Sequence, residues 1–300
     1  MPLLPALPTA NGTASRAGRA PWLALALLAA SASAWAQCSR AIEAPVAPIG
    51  LGVTVSGNQV AGIYPTVVRE LASKHGCDVR FTPVPRARQE MLMENGHADL
   101  LLPASRSSKR DAWGDFVPLT QARPAVISLR GRRVFVADLG QVLARRELRV
   151  AVVRGFDFGE PYRAALAQLR PAGRLVEEVD ASAVARVLQA GMADLTVMTP
   201  TILWGALQGD ERLRPLLPEL RIDALQDLDW SDSGVYLSRH ALSPDDRRRL
   251  GALFMDAQQS GRIWALTQEA YGSLPLEGWM RPVPAPVSAT KPSRRGPSSP

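Results

Sequence analysis

The sequence predicts an α/β protein of two lobes, each built on a mostly parallel sheet, and three observations predict it. Short strands and helices alternate along the chain, the order strand, helix, strand, helix, strand occurs twice, and Gly96-His97-Ala98-Asp99-Leu100 recurs as Gly191-Met192-Ala193-Asp194-Leu195 at the same point of each copy. In both, a glycine stops a helix and an aspartate at the turn opens an apolar strand. The 300 residues, 46% hydrophobic and 21% charged, have a globular balance and enough chain for two domains.

In the first copy, Ile49 to Ser56 reads as a strand turned by Ser56-Gly57-Asn58. Pro65 to His75 has helical periodicity through Val67, Val68, Leu71 and Ala72, and Gly76 ends it. Asp78 to Val84 is the second strand, Pro85 opens a helix that runs to Asn95-Gly96, and Ala98 to Leu102 is a short apolar strand. In the second copy the strands are Leu148 to Val153, Leu175 to Val179 and Leu195 to Met198, and the helices Glu160 to Leu169 and Asp180 to Ala190.

Charge and composition treat the two ends separately. Of the formal net charge of +7, Arg16 and Arg19 at one end and Arg281, Lys291, Arg294 and Arg295 at the other account for all but one unit, so the body offers no overall footprint for a nucleic acid. Arg16 and Arg19 precede the apolar run Trp22 to Ala30 and the small-residue stretch ending Ala34-Trp35-Ala36, the order of a secretory signal peptide over 1–36 cleaved after Ala36. The run is short for a membrane anchor, and Trp35-Ala36-Gln37 before Cys38 does not fit lipoprotein processing. The mature chain is therefore expected in the periplasm. There Cys38 and Cys77 are free to pair as a disulfide, with two separate thiols as the alternative. The Pro-, Ser- and Ala-rich end, 279–300, is expected to be a disordered tail.

Further stretches share an order with the repeat: Gly62-Ile63-Tyr64-Pro65 opening the first helix, Arg110 and Phe116 after the first Gly-x-Ala-Asp-Leu, Val150 to Gly155, Thr199-Pro200, Gly234-Val235-Tyr236-Leu237, and Ser260-Gly261-Arg262-Ile263-Trp264 to Tyr271-Gly272. Over about 48–275 the chain resembles the extracellular solute-binding proteins of family 3, the polar-amino-acid type, which deliver ligands to ABC transporters. The resemblance implies the type 2 periplasmic-binding fold, with lobe I over 37–130, lobe II over 131–228 as an insertion and lobe I resumed over 229–278. A two-stranded hinge is expected near 128–134 and 224–233. It also implies a ligand cleft between the lobes, closed on the ligand, and places Arg110 where the family binds a ligand carboxylate.

Ligands of open α/β sheets bind beyond the carboxyl ends of the strands, so the loops after Ser56, Leu102, Val153 and Met198 are expected to face the cleft. Arg110 is the candidate carboxylate anchor, because a guanidinium fork matches a carboxylate with two parallel hydrogen bonds; a solvated loop arginine is the alternative. Ser105 beside it, Ser56, Tyr64, Gly155, Phe156, Asp157 and Thr199 complete the candidate ligand-binding set. Phe156 and Phe158 are equally candidates for core packing, and Asp157 for a helix cap. Val197-Met198-Thr199-Pro200 lacks the acid that many amino-acid binders use to hold an ammonium. A small polar solute bearing a carboxylate is the expected ligand.

No enzyme is expected. His75, His97 and His240 lack metal-ligand spacing, and phosphate-loop, Gly-x-Ser-x-Gly and His-Glu-x-x-His motifs are missing from the sequence, so neither cofactor nor metal is implied. A periplasmic dehydratase on this fold would need an acid in the cleft, for which Asp157 and Glu160 are the candidates. The expected partners are a small-molecule ligand and ABC transporter membrane subunits, or a membrane sensor that reads the same cleft, with the protein itself a monomer and no nucleic acid bound.

Overall fold

The computed structural model describes residues 38–272 and 274–284, so the signal peptide, its cleavage after Ala36 and residues 285–300 lie outside the described residues. The first part of the chain folds as Ile42–Val46 (β1), Thr54–Ser56 (β2), Gln59–Ala61 (β3), Ile63–Lys74 (α1), Val79–Pro83 (β4), Arg86–Glu94 (α2), Leu100–Ser105 (β5), Ser108–Asp111 (α3) and Gly114–Ala122 (β6). The second part has Ala125–Leu129 (β7), Leu139–Ala144 (α4), Val150–Val153 (β8), Glu160–Leu169 (α5), Leu175–Glu178 (β9), Ala181–Gln189 (α6), Leu195–Met198 (β10), Pro200–Gln208 (α7) and Leu220–Ala224 (β11). Ser231–Ser238 (β12), Pro244–Gln259 (α8), Arg262–Ala270 (α9) and Met280–Pro282 (β13) close the described chain.

These elements form two α/β lobes. In the second, the sheet order is β11-β7-β10-β8-β9. Its central strands are mostly apolar, with Ser128 in β7 and Thr196 in β10 as exceptions, because both faces are covered. Val150, Val152 and Val197 pack with Tyr162, Ala165 and Leu169 of α5, whereas Ala151, Val153 and Met198 pack with Val184 and Leu188 of α6 and Leu203 and Leu207 of α7. In the first lobe the order is β13-β6-β12-β5, and β1 pairs in parallel with β4. Parallel pairing joins β1 to β4 and β8 to β9 and β10; besides the β2–β3 hairpin, the antiparallel pairs are those made by β6, β7, β11 and β12, which carry the chain between lobes, and by β13 at the edge of β6.

The recurring Gly-x-Ala-Asp-Leu makes the same turn twice. Gly96 and Gly191 both have φ +71, a left-handed backbone that favours glycine. The Asp99 N–H donates to Glu43 O at 2.9 Å and its carboxylate accepts the Glu43 N–H at 2.7 Å. Likewise the Asp194 N–H donates to Arg149 O at 2.9 Å and its carboxylate accepts the Arg149 N–H at 2.8 Å. In each lobe the aspartate thus hooks one strand onto its neighbour.

Three sequence expectations are corrected. The first sheet strand is β1, not 49–56: its Ile42, Ala44 and Val46 are buried, but Pro45 and Pro48 break the pattern that announces a strand. Residues 49–56 instead hold the Ile49–Val53 bridge and one arm of the β2–β3 hairpin. The first crossing falls at 123–124, ahead of 128–134, because Val126 and Ile127 already fill the second core; the return runs through 225–230. Finally, 279–282 is not a free tail. Met280 is buried in β13, the Arg123 N–H donates to Trp279 O, and Arg281 stacks 4.1 Å over Trp230. Cys38 and Cys77 are joined as a disulfide.

Candidate functional site

A cavity lies between the lobes, with a free volume of about 70 Å³, room for several waters or one small organic molecule. Two glycine-backed seams bring the lobes together beside it. At one, a Cβ on Gly205 of α7 would come within 2.6 Å of Leu51 N; at the other, a Cβ on Gly155 would come within 3.1 Å of Ala87. Backbone meets backbone at these points because no side chain intervenes.

The lobe I wall carries buried charge. Arg86 at the start of α2 and Arg110 in α3 both line the cavity, are 3% and 2% exposed, and share Glu90. Arg86 Nη2 donates to Glu90 Oε1 at 2.6 Å, and Arg110 Nη2 and Nε donate to Oε1 and Oε2 at 2.7 and 3.1 Å. Arg86 Nη1 reaches Pro103 O, and Arg110 Nη1 reaches Ser105 O at 2.7 Å. Arg110 Nη2 also spans the seam to Gly155 O at 3.3 Å. The loop that carries Arg110 is set by Tyr236, whose hydroxyl accepts the Ser107 N–H, and by Ser107 Oγ, which accepts the Arg110 N–H.

One carboxylate between two guanidiniums leaves a net positive charge in low dielectric. Burial lowers the Arg86 pKa to about 10, Glu90 opposing and Arg110 adding to the shift, and its Nε is buried without a partner. Burial pushes the Glu90 carboxyl up, but Arg86 and Arg110 more than offset it, so its pKa ends below the ordinary carboxylate range.

The lobe II wall is mainly apolar. Phe156 and Phe158 follow β8 with ring centroids 5.9 Å apart, and Thr199, Thr201 and Ile202 come from the start of α7. Asp157 is held by Arg163 Nη1 at 2.8 Å and accepts the Gly159 N–H. Across from these residues, Tyr64 and Tyr271 are buried and their phenols are raised by that burial. Met280 closes the wall, its sulfur accepting the Thr201 hydroxyl at 3.2 Å.

Of the residues singled out from sequence, Tyr64, Ser105, Arg110, Phe156, Asp157 and Thr199 line this one cavity. Ser56 does not: it sits exposed at the tip of the β2–β3 hairpin, because the strand before the cleft loop is β1. Gly155 lies just outside, packed on Ala87. Arg110 lines the cavity, but its fork grips Glu90, so the free bidentate edge expected of an anchor is taken. Glu160 is exposed and paired with Arg163, and Asp157, which lines the cavity, is paired with the same arginine. Sequence reasoning missed Arg86, Glu90, Ile49, Gly52 and Met280. The spacing of Arg86 and Glu90, one helical turn apart, is the signal that marks the pair.

No protein-family model matches the chain, and no curated protein matches it. Solved structures do. A mutant of ArgBP from T. maritima superposes with TM-score 0.63 at 13% identity, covering 77% of this chain and 95% of that one. The amino acid ABC transporter substrate-binding protein AbpA from Streptococcus pneumoniae, bound to L-arginine, gives 0.63 at 16% identity over 78% and 95%. A histidine kinase sensor domain with similarity to periplasmic binding proteins gives 0.61 at 20% identity over 78% and 97%. The chain has the two-lobed fold of these binding proteins. Among the described residues no helix is long and apolar enough to cross a membrane, and no three of His, Cys, Asp and Glu cluster as metal ligands.

Proposed function

We propose that this chain is an exported, non-enzymatic solute-binding protein that captures a small carboxylate-bearing solute between its lobes and presents it to ABC transporter membrane subunits. The observation that carries the reading is the net positive Arg86–Glu90–Arg110 trio in a cavity otherwise lined by apolar and hydroxyl side chains and by Asp157, whose charge Arg163 answers. The anion is held by the field of the trio, not by the Arg110 fork, which Glu90 occupies. Among the described residues no unpaired carboxylate lines the cavity to receive an ammonium, because Asp157 belongs to Arg163. The favoured solute is therefore an organic acid without an amino group, in contrast to the L-arginine that AbpA holds. A thermal-shift screen of organic acids, amino acids, polyamines and sugars tests this, since a ligand that binds only the folded state raises the melting point. Organic acids are expected to give the largest shift; a polyamine or neutral sugar in first place sinks the carboxylate assignment.

The likeness to a histidine kinase sensor domain supports a second reading, in which the same cleft reports the solute to a membrane signalling partner. The thermal-shift result is common to both. Pull-down from solubilised membranes with mass-spectrometric identification separates them: ABC transporter membrane subunits support the first reading, a membrane kinase the second.

A further inference from the structure

The neutral body of the chain hides an uneven distribution of charge. In the lobe II sheet β8, β9 and β10 run parallel and β7 runs against them, so the turn leaving β7 and the turns entering β8 and β10 share the end of the sheet opposite the cavity. The first of these turns exposes Arg130, Arg132 and Arg133, the second Arg146 and Arg149. The third, next to them, is tied on both sides: Arg149 pairs through its backbone with Asp194, and Arg132 lies against Gly191.

Among the described residues, Arg132, Arg133, Arg146 and Arg149 have no carboxylate at ion-pair distance, and Arg130 reaches only Pro218 O. The acids of these turns are engaged elsewhere, Glu147 by Arg145 and Asp194 by the Arg149 N–H. A second observation is independent of charge. Two of the few exposed large apolar side chains, Phe135 at 58% and Met192 at 49%, stand on the same turns. Phe135 is tied to this end by Arg145, which donates to its carbonyl, and by the Arg221 guanidinium, which lies 4.0 Å from the centre of its ring while the residue stays more than half exposed.

Unpaired arginines interleaved with protruding aromatic and thioether side chains match the chemistry of a bilayer interface, where the cations meet lipid phosphates and the apolar tips enter the acyl boundary. We propose that this end of lobe II docks on an anionic phospholipid surface. An acidic protein partner would explain the arginines but gives Phe135 and Met192 nothing to enter. The face lies at the far end of the strands from the cavity, so docking and solute binding are separable.

The test is vesicle co-sedimentation of the chain from Gln37 onward, which contains the whole compact unit that begins at Cys38. Vesicles of phosphatidylcholine with phosphatidylglycerol are compared with phosphatidylcholine alone. Binding is expected to the anionic vesicles and to fall steeply in 0.5 M salt. Each arginine at such a surface contributes about fivefold, or about 1 kcal/mol, so reversing Arg132, Arg133 and Arg149 to Glu is expected to cost at least about a hundredfold. Arg248→Glu, on α8 of the other lobe, is expected to bind as wild type, and all variants are expected to keep the wild-type melting point. The basic tail is common to every variant, so the difference belongs to this face. Equal binding to neutral vesicles, unaltered binding by the triple variant, or capture by polyglutamate without capture by vesicles overturns the proposal.

Discussion

The two lobes solve one problem alike and another differently. Each hooks two strands together through the aspartate of its Gly-x-Ala-Asp-Leu turn, yet the walls they present to the cavity have opposite chemistry. Lobe I contributes Arg86, Glu90 and Arg110, all buried or nearly so, while lobe II contributes phenylalanines, threonines and one acid already satisfied by a partly exposed arginine. The shared turn belongs to folding, since it recurs wherever a helix must return to the sheet. The unshared wall sets the chemistry of the cavity: a buried trio with unbalanced charge is costly to the fold unless its guanidiniums are hydrogen-bonded, and here they hold Glu90 and the carbonyls of Pro103 and Ser105.

The sharpest way to break that contrast is at the two acids of the walls. Glu90→Ala leaves two guanidiniums buried together and is expected to lower stability by about 3–5 kcal/mol in urea unfolding, whereas Asp157→Ala, whose partner Arg163 is one-third exposed, is expected to cost about 1 kcal/mol. Arg110→Ala is also expected to lower the ligand-free melting point, because its side chain is buried and removing it strips Glu90 of one partner. The pH dependence gives an independent check. The Glu90 pKa is depressed in the folded state, so the unfolded chain takes up its proton first as pH falls. The stability Glu90 supplies is therefore present above about pH 4.3, the ordinary value, and is lost as pH drops toward the lower folded value. Glu90→Ala should flatten this acid limb relative to wild type; an unchanged limb would mean that Arg86 and Arg110 do not hold the Glu90 carboxylate.

Next in size is the disulfide, which ties the chain ahead of β1 to the turn after α1 in lobe I; lobe II contains no cysteine. The bridged residues are 39 apart in sequence, and closing such a loop limits the unfolded chain by about 3–4 kcal/mol in the chain-entropy picture. Replacing Cys38 and Cys77 together by Ser is expected to lower the urea midpoint accordingly. Thiol labelling of denatured, unreduced protein should find no free thiol; two labelled cysteines would refute the bridge.

The shared turn is not equally loaded. Asp99 is 1% exposed and also takes a bidentate grip from Arg40, while Asp194 is more open and has only its backbone partner, the Arg149 N–H. Asp99→Ala is therefore expected to cost about 2–3 kcal/mol and Asp194→Ala about 1 kcal/mol. Equal losses would mean that Arg40 adds nothing to the hook.

What could be read in advance follows the same division. The helices of lobe II announce themselves because apolar residues recur on one face of α6, and its strands because β8 is apolar throughout and β10 is apolar but for Thr196. The α2 helix conceals its buried face, which is Arg86, Gln89 and Met93; two of the three are polar, and no hydrophobic period reveals them. Hence Arg110 was located from its loop, while the carboxylate that occupies its fork was not. The β1 and β13 strands were masked by prolines, Pro45 in one and Pro282 in the other, although Trp279-Met280 marks an apolar stop inside a proline-rich stretch.

The smallest expected effect falls where the lobes touch. Met280, at the edge of the lobe I sheet, accepts the hydroxyl of Thr201 on α7 of lobe II. Sulfur is a weak acceptor, so Met280→Leu keeps the volume and removes about 0.5–1 kcal/mol of contact. That contact exists only when the lobes are together, and it therefore biases closure without supporting either core. The expected outcome is a ligand affinity weakened about two- to fivefold, read by calorimetry, with the ligand-free melting point unchanged. A lowered melting point with intact affinity would place Met280 in the lobe I core and take the lobe-to-lobe contact out of the binding equilibrium.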